Sequence, residues 1–228
     1  MTSDPNLNPS PKDDVNPDRV TILPQGNHLL SLMTTIRSKS TSSKAFAGAF
    51  DRVSDLLIAA ALDLVPTEPV TVETPTGWAY EGRRQTKPVC GVSILRAGAS
   101  FESALRRAYG DNLSMGKLLI QRNEETSLPV HLYSKLPENI GTQTVLILEP
   151  MLATGGSAAT AINVLKEKGV REEDIIFVNL VASRHGLRTI MGAFPGLRLV
   201  TAAIDGDLTG SNHIAPGLGD FGDRFYGT

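Results

Sequence analysis

A single cysteine, Cys90, leaves this chain unable to form an internal disulfide, which fits a reducing compartment. Cys90 sits in the apolar run Val89-Cys90-Gly91-Val92, where a buried structural thiol is expected. No apolar run approaches the roughly 18–20 residues needed to span a bilayer. The N-terminus lacks a basic segment followed by an apolar one, so no secretory signal is expected and the cytoplasm is the expected location. Charge of one sign is lacking too. Lys and Arg number 22 against 24 Asp and Glu, a net charge of −2. No overall field therefore draws the molecule to nucleic acid or to a membrane. His28, His131, His185 and His213 show no metal-ligand spacing. Ser93 lacks the G-x-S-x-G setting of a hydrolase nucleophile.

What is present is ordinary globular material. The 228 residues are 41% hydrophobic and 20% charged, enough for one domain with a sizeable core. Residues 1–18 are rich in Pro, Asn, Asp and Ser and are expected to form a disordered tail; the domain is expected over 19–228. Ser42 and Ser43 are good N-caps for a helix over 44–65, with Phe46, Phe50, Val53, Leu57, Ala60 and Leu64 on one stripe and Pro66 as its stop. Pro75-Thr76-Gly77 between arms containing Thr, Val, Trp and Tyr predicts a β-hairpin. From Val89 onward, apolar strands alternate with helical stretches. The expected fold is α/β, a central, mainly parallel sheet flanked by helices. In such sheets ligands bind at the carboxyl ends of strands.

One such end carries the strongest local signal. A strand over 144–148 leads through Glu149 to Thr154-Gly155-Gly156-Ser157 and a helix over 157–168. Unpaired N–H groups at a helix N-terminus suit a phosphate monoester, and glycines let the backbone close on it. Taken alone, the same four residues describe a glycine-rich turn with a hydroxyl cap. No Gly-Lys-Ser/Thr ending is present, so this is not the P-loop of a nucleoside triphosphatase. The acidic Glu149 points to a sugar diol or a metal beside the phosphate.

Here the chain resembles the uracil phosphoribosyltransferases, of the type I phosphoribosyltransferase group. Glu149–Ser157 (EPMLATGGS) resembles their loop for phosphoribosyl pyrophosphate (PRPP). Ser93–Gly98 (SILRAG), Gln121–Thr126 (QRNEET) and Pro216–Thr228 (PGLGDFGDRFYGT) follow the family pattern in order. The resemblance covers about Leu23 to the end. It implies a Rossmann-like fold with a β-hairpin arm and a C-terminal base-binding loop region, and conversion of uracil and PRPP to UMP and pyrophosphate in pyrimidine salvage. It implies PRPP contacts from Arg96, Arg122, Glu149, Pro150, Met151, Leu152, Ala153, Thr154, Gly155, Gly156, Ser157 and Asp220, with Arg122 and Asp220 catalytic. It implies uracil contacts from Ile214, Gly219, Asp220 and Phe221, largely through the backbone. Mg²⁺ is implied with PRPP, near Asp220, with no dedicated protein cage. A homodimer or homotetramer is implied, and GTP as an effector, since some similar enzymes respond to it. Three departures stand out. Glu149 replaces the usual Asp, Phe221 replaces a small residue, and Gly206–His213 differs from the family loop, with His213 in place of an aromatic residue. These leave two other readings open: a non-catalytic PRPP- or nucleotide-binding relative, or transfer to another base.

Overall fold

The computed structural model describes residues 16, 18–110, 112–122 and 129–228. The expected N-terminal tail thus falls almost wholly outside the described residues, as does the loop after Arg122.

The chain opens with β1 (Val20–Ile22) and two helices, α1 (Asn27–Arg37) and α2 (Ser43–Leu62). Helix α2 follows its periodicity: the Ser42 side chain accepts a hydrogen bond from the Ala45 N–H, and Phe46, Phe50, Val53 and Leu57 are fully buried. Ser54, Ile58 and Ala61 join the stripe as it winds around the helix. Helix α1 was not predicted. Gly26 caps it without a side chain, and Thr34, Thr35 and Ile36 at its end are poor helix formers. Its apolar face against α2 decides the matter, with Leu29, Leu32, Met33 and Ile36 buried.

Strands β2 (Thr67–Glu73) and β3 (Ala79–Gln85) form the expected hairpin. Thr74 and Gly77 close its turn, with Gly77 at φ +79°. The two strands form a sheet of their own. The remaining elements build the domain: β4 (Val89–Leu95), α3 (Glu102–Ala108), β5 (Leu113–Arg122), β6 (Pro129–Lys135), β7 (Thr144–Leu148), β8 (Met151–Leu152), α4 (Gly156–Glu167), β9 (Ile175–Ser183), α5 (Arg184–Ala193), β10 (Arg198–Asp205), β11 (Asp207–Leu208), β12 (Ile214–Ala215) and α6 (Phe221–Tyr226).

The main sheet runs β1-β10-β9-β7-β4-β5-β6, with β8 added beside β9. All pairings are parallel except that of β5 with β6. Its central strands are mostly apolar because both faces are covered, with Ser93, Asn179 and Thr201 among the few buried polar exceptions. Leu146 and Leu148 of β7 face the cluster under α1, α2 and α3, while Val145 and Ile147 face the cluster under α4 and α5. Cys90 is buried as expected.

From β4 the sheet grows to β5 on one side, and the chain then returns to place β7 on the other. The strand order reverses at β4/β7, so a crevice opens beyond the carboxyl ends of these two strands. Arg96 follows β4 and Glu149 follows β7.

Candidate active site

The loop over Glu149–Ser157 turns from β7 into the N-terminus of α4. Gly155 caps α4 at φ +88°, in the left-handed region that a residue with a Cβ enters only under strain. A Cβ there would also lie 3.1 Å from Ile190 and 3.2 Å from the Gly186 carbonyl oxygen. Residues Glu149, Met151–Ala158 line a cavity of about 60 Å³ at the mouth of α4, where N–H groups and the helix dipole favour an anion. Pro150 stands behind it, buried, its carbonyl accepting the N–H groups of Leu180 and Val181.

Two residues that the sequence did not flag brace this loop. The Ser183 hydroxyl, at the end of β9, donates to the Ala153 carbonyl at 2.5 Å and accepts from the Gly186 N–H at 2.8 Å. Gly186 passes so close that a Cβ would lie 2.3 Å from the Ala153 oxygen. A serine before a helix and a glycine within it were legible only as a cap and a poor helix former.

A second cavity, of about 260 Å³, is lined by Arg96, Ala97, Glu149, Met151, Asp220, Phe221 and Gly222. It shares Glu149 and Met151 with the phosphate loop. Side by side, the two cavities bring three sequence-distant segments together. Arg96 reaches across to the C-terminal helix, donating to Asp223 at 3.1 Å and Thr228 at 3.5 Å, with its guanidinium 5.7 Å from the Tyr226 ring centre. Both members of the Arg96–Asp223 pair are more than half exposed, so water screens the attraction and a multiply charged anion can compete for the guanidinium. Asp220 caps α6, accepting from the Asp223 N–H at 2.9 Å.

Arg122 ends β5, and its register partner is Pro129. A Cβ on Gly156 would lie 3.3 Å from the Pro129 ring, which brings the end of the β5–β6 ladder against the phosphate loop. Nothing further is described of the Arg122 side chain.

Glu149 is partly buried, and burial pushes its carboxyl up to about 8. The Met151 N–H opposes this by donating to Oε1 at 3.3 Å, while the nearby Asp220 carboxylate adds to it.

The C-terminal segment expected as a loop contains α6, and Phe221 is its first residue. The Phe221 ring does not fill the base site. It packs edge-on against Phe46 and Phe50, at 5.4 and 4.8 Å between centres, and stacks on Phe225 at 5.6 Å. Its backbone is left at the cavity wall. Ile214 is buried, and Gly219 takes φ +85°. The turn before it is held by groups that the sequence did not single out. Arg37 grips Asp205 through two hydrogen bonds of 2.7 Å and donates to the Gly217 carbonyl at 2.8 Å, while Asp205 accepts the Gly217 N–H at 2.8 Å. Arg224 donates to the Leu218 carbonyl at 2.6 Å. His213 lies exposed on the small β11–β12 hairpin beside Ser211. Among the described residues no group of three or more His, Cys, Asp and Glu is placed to hold a metal ion.

A switch-point crevice, a glycine-built phosphate loop and an arginine that meets it from the next strand define a class: α/β proteins that bind phosphorylated sugars at the strand ends. The uracil phosphoribosyltransferase family model matches residues 23–228. The chain is 45% identical over 212 residues to uracil phosphoribosyltransferase of Dictyostelium discoideum, covering 93% of this chain and 98% of that one. It is 47% identical over 207 residues to the enzyme of the same name from Saccharomyces cerevisiae, covering 91% and 95%. The solved structure of the AQ2163 protein from Aquifex aeolicus superposes with a TM-score of 0.79 at 30% identity, covering 91% of this chain and 97% of that one. The chain belongs to the uracil phosphoribosyltransferase family.

Proposed function

We propose that this protein transfers the ribose 5-phosphate of PRPP to uracil, giving UMP and pyrophosphate. The observation that carries this is that the two cavities share Glu149 and Met151 in their walls. One end offers helix N–H groups to the 5′-phosphate. The middle offers Glu149 to the ribose hydroxyls. The far end offers Arg96, with Arg122 at the neighbouring strand end, to the diphosphate, and the backbone around Gly219–Phe221 to a flat imide.

In the reaction the bond from the ribose C1′ to the diphosphate oxygen breaks with its electron pair, and uracil N1 forms the new bond, losing its proton. Positive charge on the ring and negative charge on the leaving group both grow before the transition state. Fixed charges that match them lower the barrier. Asp220, and Glu149 in its ionised form, would supply negative charge on the ring side, and Arg96 positive charge to the diphosphate. The two carboxylates are hard oxygen donors on one cavity, a set that fits a divalent ion completed by diphosphate oxygens and water. Glu149 and Asp220 would hold the ion, and the chemistry it would supply is positive charge against the leaving diphosphate.

The inward-turned Phe221 ring favours an active enzyme over a non-catalytic relative, because the base wall stays open. Incubation with PRPP, Mg²⁺ and labelled uracil is expected to yield UMP, with and without GTP as effector. Tight PRPP binding by calorimetry with no product, or product from another base alone, would overturn it.

The reading extends to a homodimer or homotetramer through the hairpin arm. Trp78 is 76% and Tyr80 60% exposed, so most of the surface of both rings is left uncovered. A two-stranded ribbon alone is only marginally stable in water. Trp78→Glu is expected to lower the mass measured by light scattering to that of a smaller assembly; an unchanged mass would remove the arm from the interface.

A further inference from the structure

Asn179 lies in the middle of β9, a strand in which every residue is buried, and is itself fully buried. A side-chain amide there has given up its water and needs partners within the protein. It has one at each end. Nδ2 donates to the main-chain carbonyl of Glu149 at 3.2 Å, and Oδ1 accepts from the Thr201 hydroxyl of β10 at 2.9 Å. Thr201 is fully buried as well. A carbonyl only accepts, which fixes the amide nitrogen on the Glu149 side.

The place matters more than the pair. Leu148 is the last register partner of β7 on β9, opposite Val178, and Met151 resumes the pairing opposite Val181. Between them Glu149 and Pro150 leave the regular ladder. The Glu149 N–H still reaches the Val178 carbonyl at 3.1 Å, and the Pro150 carbonyl accepts the Leu180 and Val181 N–H groups at 3.0 Å. The Glu149 carbonyl receives its hydrogen bond from the Asn179 side chain in place of a backbone donor.

We infer that Asn179, oriented by Thr201, is a positioning residue. It fixes the main chain at the point where Glu149 turns out of the sheet, and so sets where the Glu149 carboxylate arrives in the groove. This rests on the reading of Glu149 as the group that meets the ribose hydroxyls.

The test is a double-mutant cycle. Asn179→Leu with Thr201→Val replaces the bonded side-chain pair by apolar groups of similar size, so that the one polar group left without its partner is the Glu149 carbonyl, the group whose placement the test reads. The pair is expected to raise KM for PRPP about tenfold with KM for uracil changed less than about twofold, a loss in keeping with a sub-ångström displacement. In a Glu149→Ala background the same pair is expected to change KM for PRPP by less than about twofold, because no carboxylate is left to misplace. Unchanged kinetics in the parent, or an equal loss in both backgrounds, would overturn the inference and leave Asn179 a general structural residue. If Glu149→Ala alone leaves PRPP affinity intact, the ribose role of Glu149 is what fails. Thr201→Val by itself guards against a misfolded double variant: an intact melting curve with about a threefold rise in KM for PRPP is expected, and no rise counts against the inference.

Discussion

Gly98→Ala is expected to lower kcat/KM for PRPP by at least about 100-fold and to cost the fold about 3 kcal/mol. A Cβ on Gly98 would lie 2.0 Å from the carbonyl oxygen of Leu148 and 3.3 Å from the Ser93 Cα. The first is backbone of β7, one residue before Glu149, and cannot rotate away. The segment from Arg96 to Phe101 would have to lift off the sheet, carrying the arginine with it. Misplacement by about 1 Å is enough for a loss of that order. The stability cost sits at the upper end for overpacking, and in a chain of this size corresponds to a fall in Tm of about 6–12 °C. Gly192→Ala is the matched control. A Cβ there meets nothing within 4 Å, and both rate and Tm are expected to stay near the parent's. Calorimetry and steady-state kinetics on the two variants decide it. A Gly98→Ala enzyme with full activity would show that the loop is not pinned to β7.

Glu149→Gln is expected to separate stability from activity. The Glu149 carboxyl holds its proton up to about 8, chiefly because it is buried and next because Asp220 is near. In the unfolded chain the same group ionises near 4.5. The folded state therefore binds the proton more tightly. Stability from this group is full below pH 4.5, declines as pH rises between 4.5 and 8, and stays low above 8. A glutamine removes the ionisation. The variant should melt above the parent at pH 8.5, and the gap should close by pH 5. At pH 8.5, where the parent carries the ionised form, kcat/KM for PRPP should fall by about 100-fold, since hydrogen bonds from the ribose hydroxyls to a carboxylate are lost, and the loss should shrink as the pH falls towards 5. A lower Tm at pH 8.5 would show that the ionised carboxylate is well solvated where it stands. Gain in stability with loss of rate is a common mark of a group kept for function.

Where sequence and structure meet, local rules carried the information. Gly155 and Gly156 before a helix, and Glu149 after an apolar strand, are features of adjacent residues, and the phosphate loop followed from them. The central strands were equally plain, since a parallel sheet covered on both faces leaves apolar runs such as Val89–Leu95. What stayed hidden was whatever depends on distant partners. Helix α1 has weak local propensity and exists through its packing on α2. Arg37 and Asp205 meet across 168 residues to hold the base loop, and neither carries a motif. Asn179 carries no motif either, its meaning set only by Glu149 and Thr201 beside it. Phe221 drew notice as a departure, yet the direction of its ring was decided by Phe46 and Phe50, some 170 residues away and invisible to any local pattern.

The bridges that finish the groove span most of the polypeptide: Arg37 with Asp205, and Arg96 with Asp223 across 127 residues. Contacts of that separation form late, because the chain entropy of closing such loops is spent before the contacts reward it. On a ribosome, where domains take shape from the N-terminal side, the phosphate loop can gather while the base wall is still unmade. Catalytic competence thus arrives as the final turn of helix docks onto α2, after β10, the last strand of the main sheet, has already been made.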